Sequence, residues 1–182
     1  PTMTTPTHPL RTSNAARLWA LGTGAIGALE RLQPLALLAA RLYVAAVFFR
    51  SGLTKLADWE TTLALFMDEY RVPLLDPVWA AWAGTAGELL LPALLVLGLG
   101  GRFAAAGLSV VNVVAVLSLA EIADAALQGH VFWGSLLMVV LLWGPGRWSL
   151  DAWLAPRLHA RLGASNATAG AGYTPARAPA RG

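Results

Sequence analysis

The chain has 182 residues, 57% of them hydrophobic and only 13% charged, with no cysteine and a formal net charge of +3. The charged share is about half that of a soluble domain, so the composition points to a small integral membrane protein. The missing thiols exclude disulfides, iron–sulfur ligation and cysteine nucleophiles, and no aromatic-interleaved basic patch supports a nucleic-acid partner.

Residues 1–13 contain Pro, Thr and His and read as a disordered leader. Over 14–33, Ala15, Leu18, Trp19, Ile26, Leu29 and Leu32 fall near one helical face, flanked by Arg17 and Arg31. This pattern predicts an amphipathic helix lying in the membrane interface. From Pro34 to Leu53 the chain is apolar for long enough to span roughly 30 Å, a hydrocarbon core. Within that first span Arg41 is about 10 Å from one end. A guanidinium at that depth costs several kcal/mol unless it snorkels, meets water or finds a partner. Phe48, Gly52 and Lys55 follow within about 40° of Arg41 around the helix, whereas Arg50 points to the opposite side.

The long connection 54–77 is acidic, with Asp58, Glu60, Asp68, Glu69 and Asp76. Trp59, Leu63, Phe66, Met67 and Tyr70 keep helical spacing inside it, Asp58 is placed to cap the start and Pro73 lies beyond the end. A second short amphipathic helix follows from this. Spans are expected at 79–99, with Glu88 and Pro92; at 103–122, with Asn112 and Glu121; and at 125–144, with His130. Gly144-Pro145-Gly146 closes the last one. The tail 155–182, rich in Ala, Gly, Pro and Arg, reads as basic and largely disordered. The expected fold is therefore an all-α, antiparallel four-helix transmembrane bundle over 34–154 with amphipathic interfacial helices. Arg11, Arg17, Arg31, Arg102, Arg147, Arg157 and Arg161 all fall on one side of it, which by the positive-inside rule places both termini in the cytoplasm.

Counting about 1.5 Å per residue puts Arg41 about 10 Å deep and Glu88 about 16 Å deep, within reach of a guanidinium, so Arg41 and Glu88 are expected to form a buried ion pair. Such a pair either fixes which helices pack together or serves substrate or protons. Near the other boundary, Phe48, Arg50, Lys55, Glu121, His130 and Trp133 outline a polar pocket with aromatic walls. It would suit a quinone, whose ring stacks on aromatics and whose carbonyls accept hydrogen bonds. Snorkelling of Arg50 and Lys55 to headgroups explains the same cluster without a ligand. A haem held by two histidines is not expected, because His8 and His159 fall outside the spans. No metal site is expected either.

Several residues occur in an order that resembles the DoxX-like family of small membrane proteins. Arg41 is followed by Gly52 and Lys55, then Arg71-Val72-Pro73, then Glu88, Gly98 and Arg102, then Gly144-Pro145-Gly146-Arg147-Trp148-Ser149-Leu150-Asp151. The resemblance covers about residues 35 to 154. It implies a four-helix bacterial inner-membrane protein, with Gly52, Gly98, Arg102, Gly144, Pro145, Gly146 and Asp151 in structural roles, in a family associated with redox chemistry. Together these readings point to an inner-membrane subunit of a quinone-linked redox system that acts with a protein partner or as a homo-oligomer. A non-catalytic membrane scaffold or assembly subunit is the alternative.

Overall fold

The computed structural model describes residues 14–158; the predicted leader 1–13 and the tail from residue 159, with His8 and His159, lie outside the described residues. The described chain is all-helical: α1 (Asn14–Ala57), α2 (Trp59–Asp68), α3 (Pro77–Leu97), α4 (Gly101–Ser118) and α5 (Asp124–Trp143), followed by a further helical segment, α6, over 150–158. Four of these, α1, α3, α4 and α5, are long and apolar enough to cross a membrane.

The expected break at Pro34 does not occur. The interfacial helix and the first span are one helix of 44 residues, with Pro34 inside it, about 66 Å long at helical rise. Proline removes one backbone donor and crowds the preceding turn, but Leu and Ala follow it for a full turn and more, and such residues favour helix. The other spans agree with expectation to within a few residues.

Short connections force the bundle to be antiparallel. The α3–α4 turn is three residues long; Gly98 and Gly100 adopt left-handed backbone conformations there, with φ of 65° and 57°. At Gly98 a side chain is excluded twice, since a Cβ would also lie 2.5 Å from Ser149 Cβ. α1 lies chiefly against α3 and also against α5, while α4 lies between α3 and α5, so the four spans close into a ring of neighbours. Their shared core is small and tightly packed: Val44, Ala45 and Phe48 from α1, Leu95 from α3, Ala104, Ala105 and Leu108 from α4, and Leu137 and Val140 from α5. Most other leucines, valines and tryptophans on the spans are exposed, as expected of helices whose outer faces meet lipid.

α2 is amphipathic and covers one end of the ring. Phe66 packs on Ala80 and Ala81 of α3, with Trp59, Leu63, Tyr70 and Val72 around them. Asp58 caps α2, its side chain accepting from Thr61 N at 3.0 Å, and Asp76 caps α3 through Val78 N at 3.0 Å with Pro77 in the first turn. Arg71 N donates to Ser118 O at 2.8 Å and ties the connection to the end of α4.

Candidate functional site

Two polar centres occupy opposite ends of the bundle, and neither contains the Arg41–Glu88 pair expected from depth. Arg41 is 1% exposed and spends its donors on four backbone carbonyls. Nε donates to Leu95 O at 2.8 Å, Nη2 to Val96 O at 2.7 Å, and Nη1 to Pro145 O at 2.6 Å and Trp148 O at 2.9 Å. Leu95 and Val96 are in the last turn of α3, where Leu95 O also accepts from Gly98 N at 3.2 Å and the dipole favours a cation. A planar fork of five N–H groups suits this cluster of acceptors better than one carboxylate would.

The segment after α5 completes that end. Asp151 accepts from Gly100 N and Gly101 N, 2.8 Å each, one bond to each carboxylate oxygen, and so caps α4 from outside its own sequence neighbourhood. Asp151 N in turn donates to Gly98 O at 3.0 Å, and Arg102 donates to Leu142 O at 3.1 Å near the end of α5. Gly146, also in the left-handed region, lies against Leu37, and Pro145 lies against Gly101. The residues expected to be structural at this end therefore hold one clamp, which fixes the α3–α4 turn to the end of α5.

At the α2 end, Glu88 pairs with Lys55 instead. Lys55 Nζ lies 2.5 Å from Glu88 Oε2 and 3.0 Å from Ser51 Oγ. Gly52 makes this geometry possible, because a Cβ there would stand 2.9 Å from Leu89 and 3.1 Å from Glu88 Cβ, so α1 and α3 approach closely. The lysine stem, which could have snorkelled outward, turns inward to the carboxylate.

The pair lines a cavity of about 340 Å³ bounded by α1, α2, α3, α4 and α5, with Tyr70, Ser51, Ser118 and His130 as its other polar groups and Phe66, Val72, Val111 and Val114 among its apolar walls. Burial first, then the carboxylates of Glu69 and Glu88, push the Tyr70 phenol above its ordinary value, so it stays protonated and able to donate. His130 is held by Asn112, which is 5% exposed. Asn112 Nδ2 donates to His130 O at 2.9 Å, and Asn112 Oδ1 is 2.8 Å from His130 Nδ1. A backbone carbonyl can only accept, so the amide must present its nitrogen there and its oxygen to the ring. Nδ1 therefore carries the proton, and Nε2 is the accepting nitrogen of the neutral imidazole.

Of the six residues expected to form a pocket, Lys55 and His130 line the cavity. Trp133 stands behind His130, ring centroids 5.0 Å apart, and Phe48 behind Trp133 at 6.0 Å, so both aromatics are supporting walls. Arg50 and Glu121 are exposed and outside it. Tyr70, Ser51 and Asn112 belong to the site without having been expected there. Ser51 could have been found one turn before Lys55, and Asn112 by its depth in an apolar span, but Tyr70 depends on where α2 lands. Thr85, one turn before Glu88, is buried with its hydroxyl unpartnered, outside the cavity lining. No group of His, Asp and Glu able to hold a metal occurs among the described residues.

No curated protein and no solved structure matches the chain. Residues 36–121, from the apolar part of α1 through the end of α4, match the family model described as DoxX, and over that segment, with its apolar spans, the chain is similar to DoxX-like membrane proteins.

Proposed function

We propose that this protein is a bacterial inner-membrane subunit of a quinone-linked redox system, with both termini in the cytoplasm, and that it binds a quinone headgroup in the cavity at the α2 end. The observation that carries this reading is the convergence of Lys55, Tyr70 and His130 on one apolar-walled cavity. Its volume of about 340 Å³ is at the small end of ligand pockets and suits a ring rather than a whole prenylated molecule. The tail would lie among lipids. Lys55 and the protonated Tyr70 supply donors for carbonyl oxygens, and His130 Nε2 supplies an acceptor for a hydroxyl. When bound, a quinone supplies two-electron, two-proton chemistry, and a partner protein would supply the electrons.

The test is quinone retention by the full chain, purified gently from its own membrane and assayed by native mass spectrometry with lipid extraction. Stoichiometric quinone is expected for the wild type, with loss on Tyr70→Phe at unchanged thermal stability and on His130→Ala. A ligand-free wild type would overturn the proposal.

A second reading has its own observation. Lys55 and Glu88 satisfy each other, as a purely structural pair would, and α2 presents Glu60, Asp68 and Glu69 outward. A scaffold that docks a partner on this acidic face predicts a retained protein in place of a retained quinone.

A further inference from the structure

We propose that the groove at the other end of the bundle, the end of the Arg41 clamp, binds the phosphate of an anionic phospholipid headgroup. The groove has a volume of about 780 Å³ and runs between α1 near Pro34 and the turns that end α3 and α5. Arg102 and Arg147 line it together with Leu37, Phe103, Trp143 and the acids Glu30 and Asp151.

The formal charges of the lining balance, Arg102 and Arg147 against Glu30 and Asp151, but the four groups are not equally engaged. Asp151 is committed, since each of its oxygens accepts a backbone N–H at 2.8 Å. Arg102 donates one bond to Leu142 O and has further N–H groups to offer. Arg147 is exposed, and no hydrogen bond or ion pair joins it to the described residues. The hydrogen-bond donors left for a ligand are therefore those of Arg102 and Arg147, while both Asp151 oxygens are already occupied by the first turn of α4.

The level of these groups in the bundle argues for lipid. Arg102 is the second residue of α4, and Arg147 follows the last residue of α5 by four positions, so both cations mark the ends of spans, where headgroups lie. Phe103 and Trp143, 69% and 60% exposed, and Leu37 supply an apolar wall on the span side of the same groove. Cations at the boundary above an apolar wall match a phosphate above an acyl chain. Free inorganic phosphate shares the charge chemistry but makes no use of that wall.

The experiment uses the full chain in phosphatidylcholine bilayer discs containing phosphatidylglycerol as the minor component, with bound lipid counted by native mass spectrometry. Phosphatidylglycerol should be retained in preference to phosphatidylcholine. Arg147→Gln, which breaks no contact within the described chain, should lower that preference about fivefold, and Glu30→Gln should raise it. Equal retention of the two lipids, or an unchanged preference in Arg147→Gln, would overturn the proposal. Displacement of the retained lipid by inorganic phosphate at matched ionic strength would assign the groove to the free anion and overturn the lipid reading.

Discussion

Lys55 and Arg41 meet the same difficulty, a cation on an apolar helix, in different ways. Arg41 is surrounded by four backbone carbonyls, one from each of Leu95, Val96, Pro145 and Trp148, so one side chain supplies donors to several buried acceptors at once. Lys55 is opposed by a single carboxylate, with side-chain exposures of 20% for Lys55 and 9% for Glu88. Removing either partner strands the other charge, whereas removing both leaves none. Lys55→Met and Glu88→Leu should each cost about 3 kcal/mol, and Lys55→Met/Glu88→Leu should recover most of the combined loss. Unfolding in mixed detergent measures the cycle; additive losses would show that the pair has no coupling. The same double variant, folded but without its ammonium, should fail to retain quinone.

Elements carry consequences that single residues do not. α2 starts on Asp58, whose carboxylate is held below its ordinary value of 3.8, chiefly by the Thr61 hydroxyl and then by the Thr61 backbone N–H. A depressed folded value means that the stabilisation is complete above about pH 3.8 and fades as pH falls through the lower folded value. Protection of the α2 amides, measured relative to their intrinsic exchange rate at each pH, should therefore fall over that acid window in the wild type. Asp58→Asn keeps a capping oxygen and should abolish that fall in protection. This helix was legible in the sequence because its cap, its apolar spacing and its stop are local signals. α1 was not, because a proline inside a long apolar run reads as a boundary. The cap on α4 was equally hidden, since it comes from Asp151, far along the chain, where no local capping pattern can show it. Arg41 was legible as a buried cation, but its partners were not. Carbonyls are present at every residue, so a sequence naturally directs attention to the nearest acid, Glu88. The cavity was half legible: Lys55 and His130 announce themselves as polar residues in spans, whereas Tyr70 enters only through tertiary packing.

In the whole molecule, the ring of spans is held at its two ends by different means, a helix and an ion pair at one, a turn and a guanidinium at the other. The second end joins parts of the chain that are remote from one another. Arg41 is 54 and 55 positions from its α3 acceptors, and 104 and 107 positions from Pro145 and Trp148. Those intervals are also intervals of time. At about 5–20 residues per second, Trp148 is synthesised roughly 5–20 s after Arg41. During that wait a guanidinium that ends up almost wholly buried has no final set of acceptors, and hydrocarbon is a costly place for it to stay. A newborn α1 must then remain hydrated, or shielded by the insertion machinery, until the segment after α5 arrives. Chains ending at residue 143 have all four spans but lack the two late carbonyls. They should be degraded quickly in a pulse-chase experiment, and Arg41→Leu should lengthen their lifetime while shortening that of the full chain. A same-sign effect in both backgrounds would show that the arginine never waits for its partners. The price of so economical a closure, one side chain for two distant segments, is that the bundle cannot be secured before all four of its spans have been made.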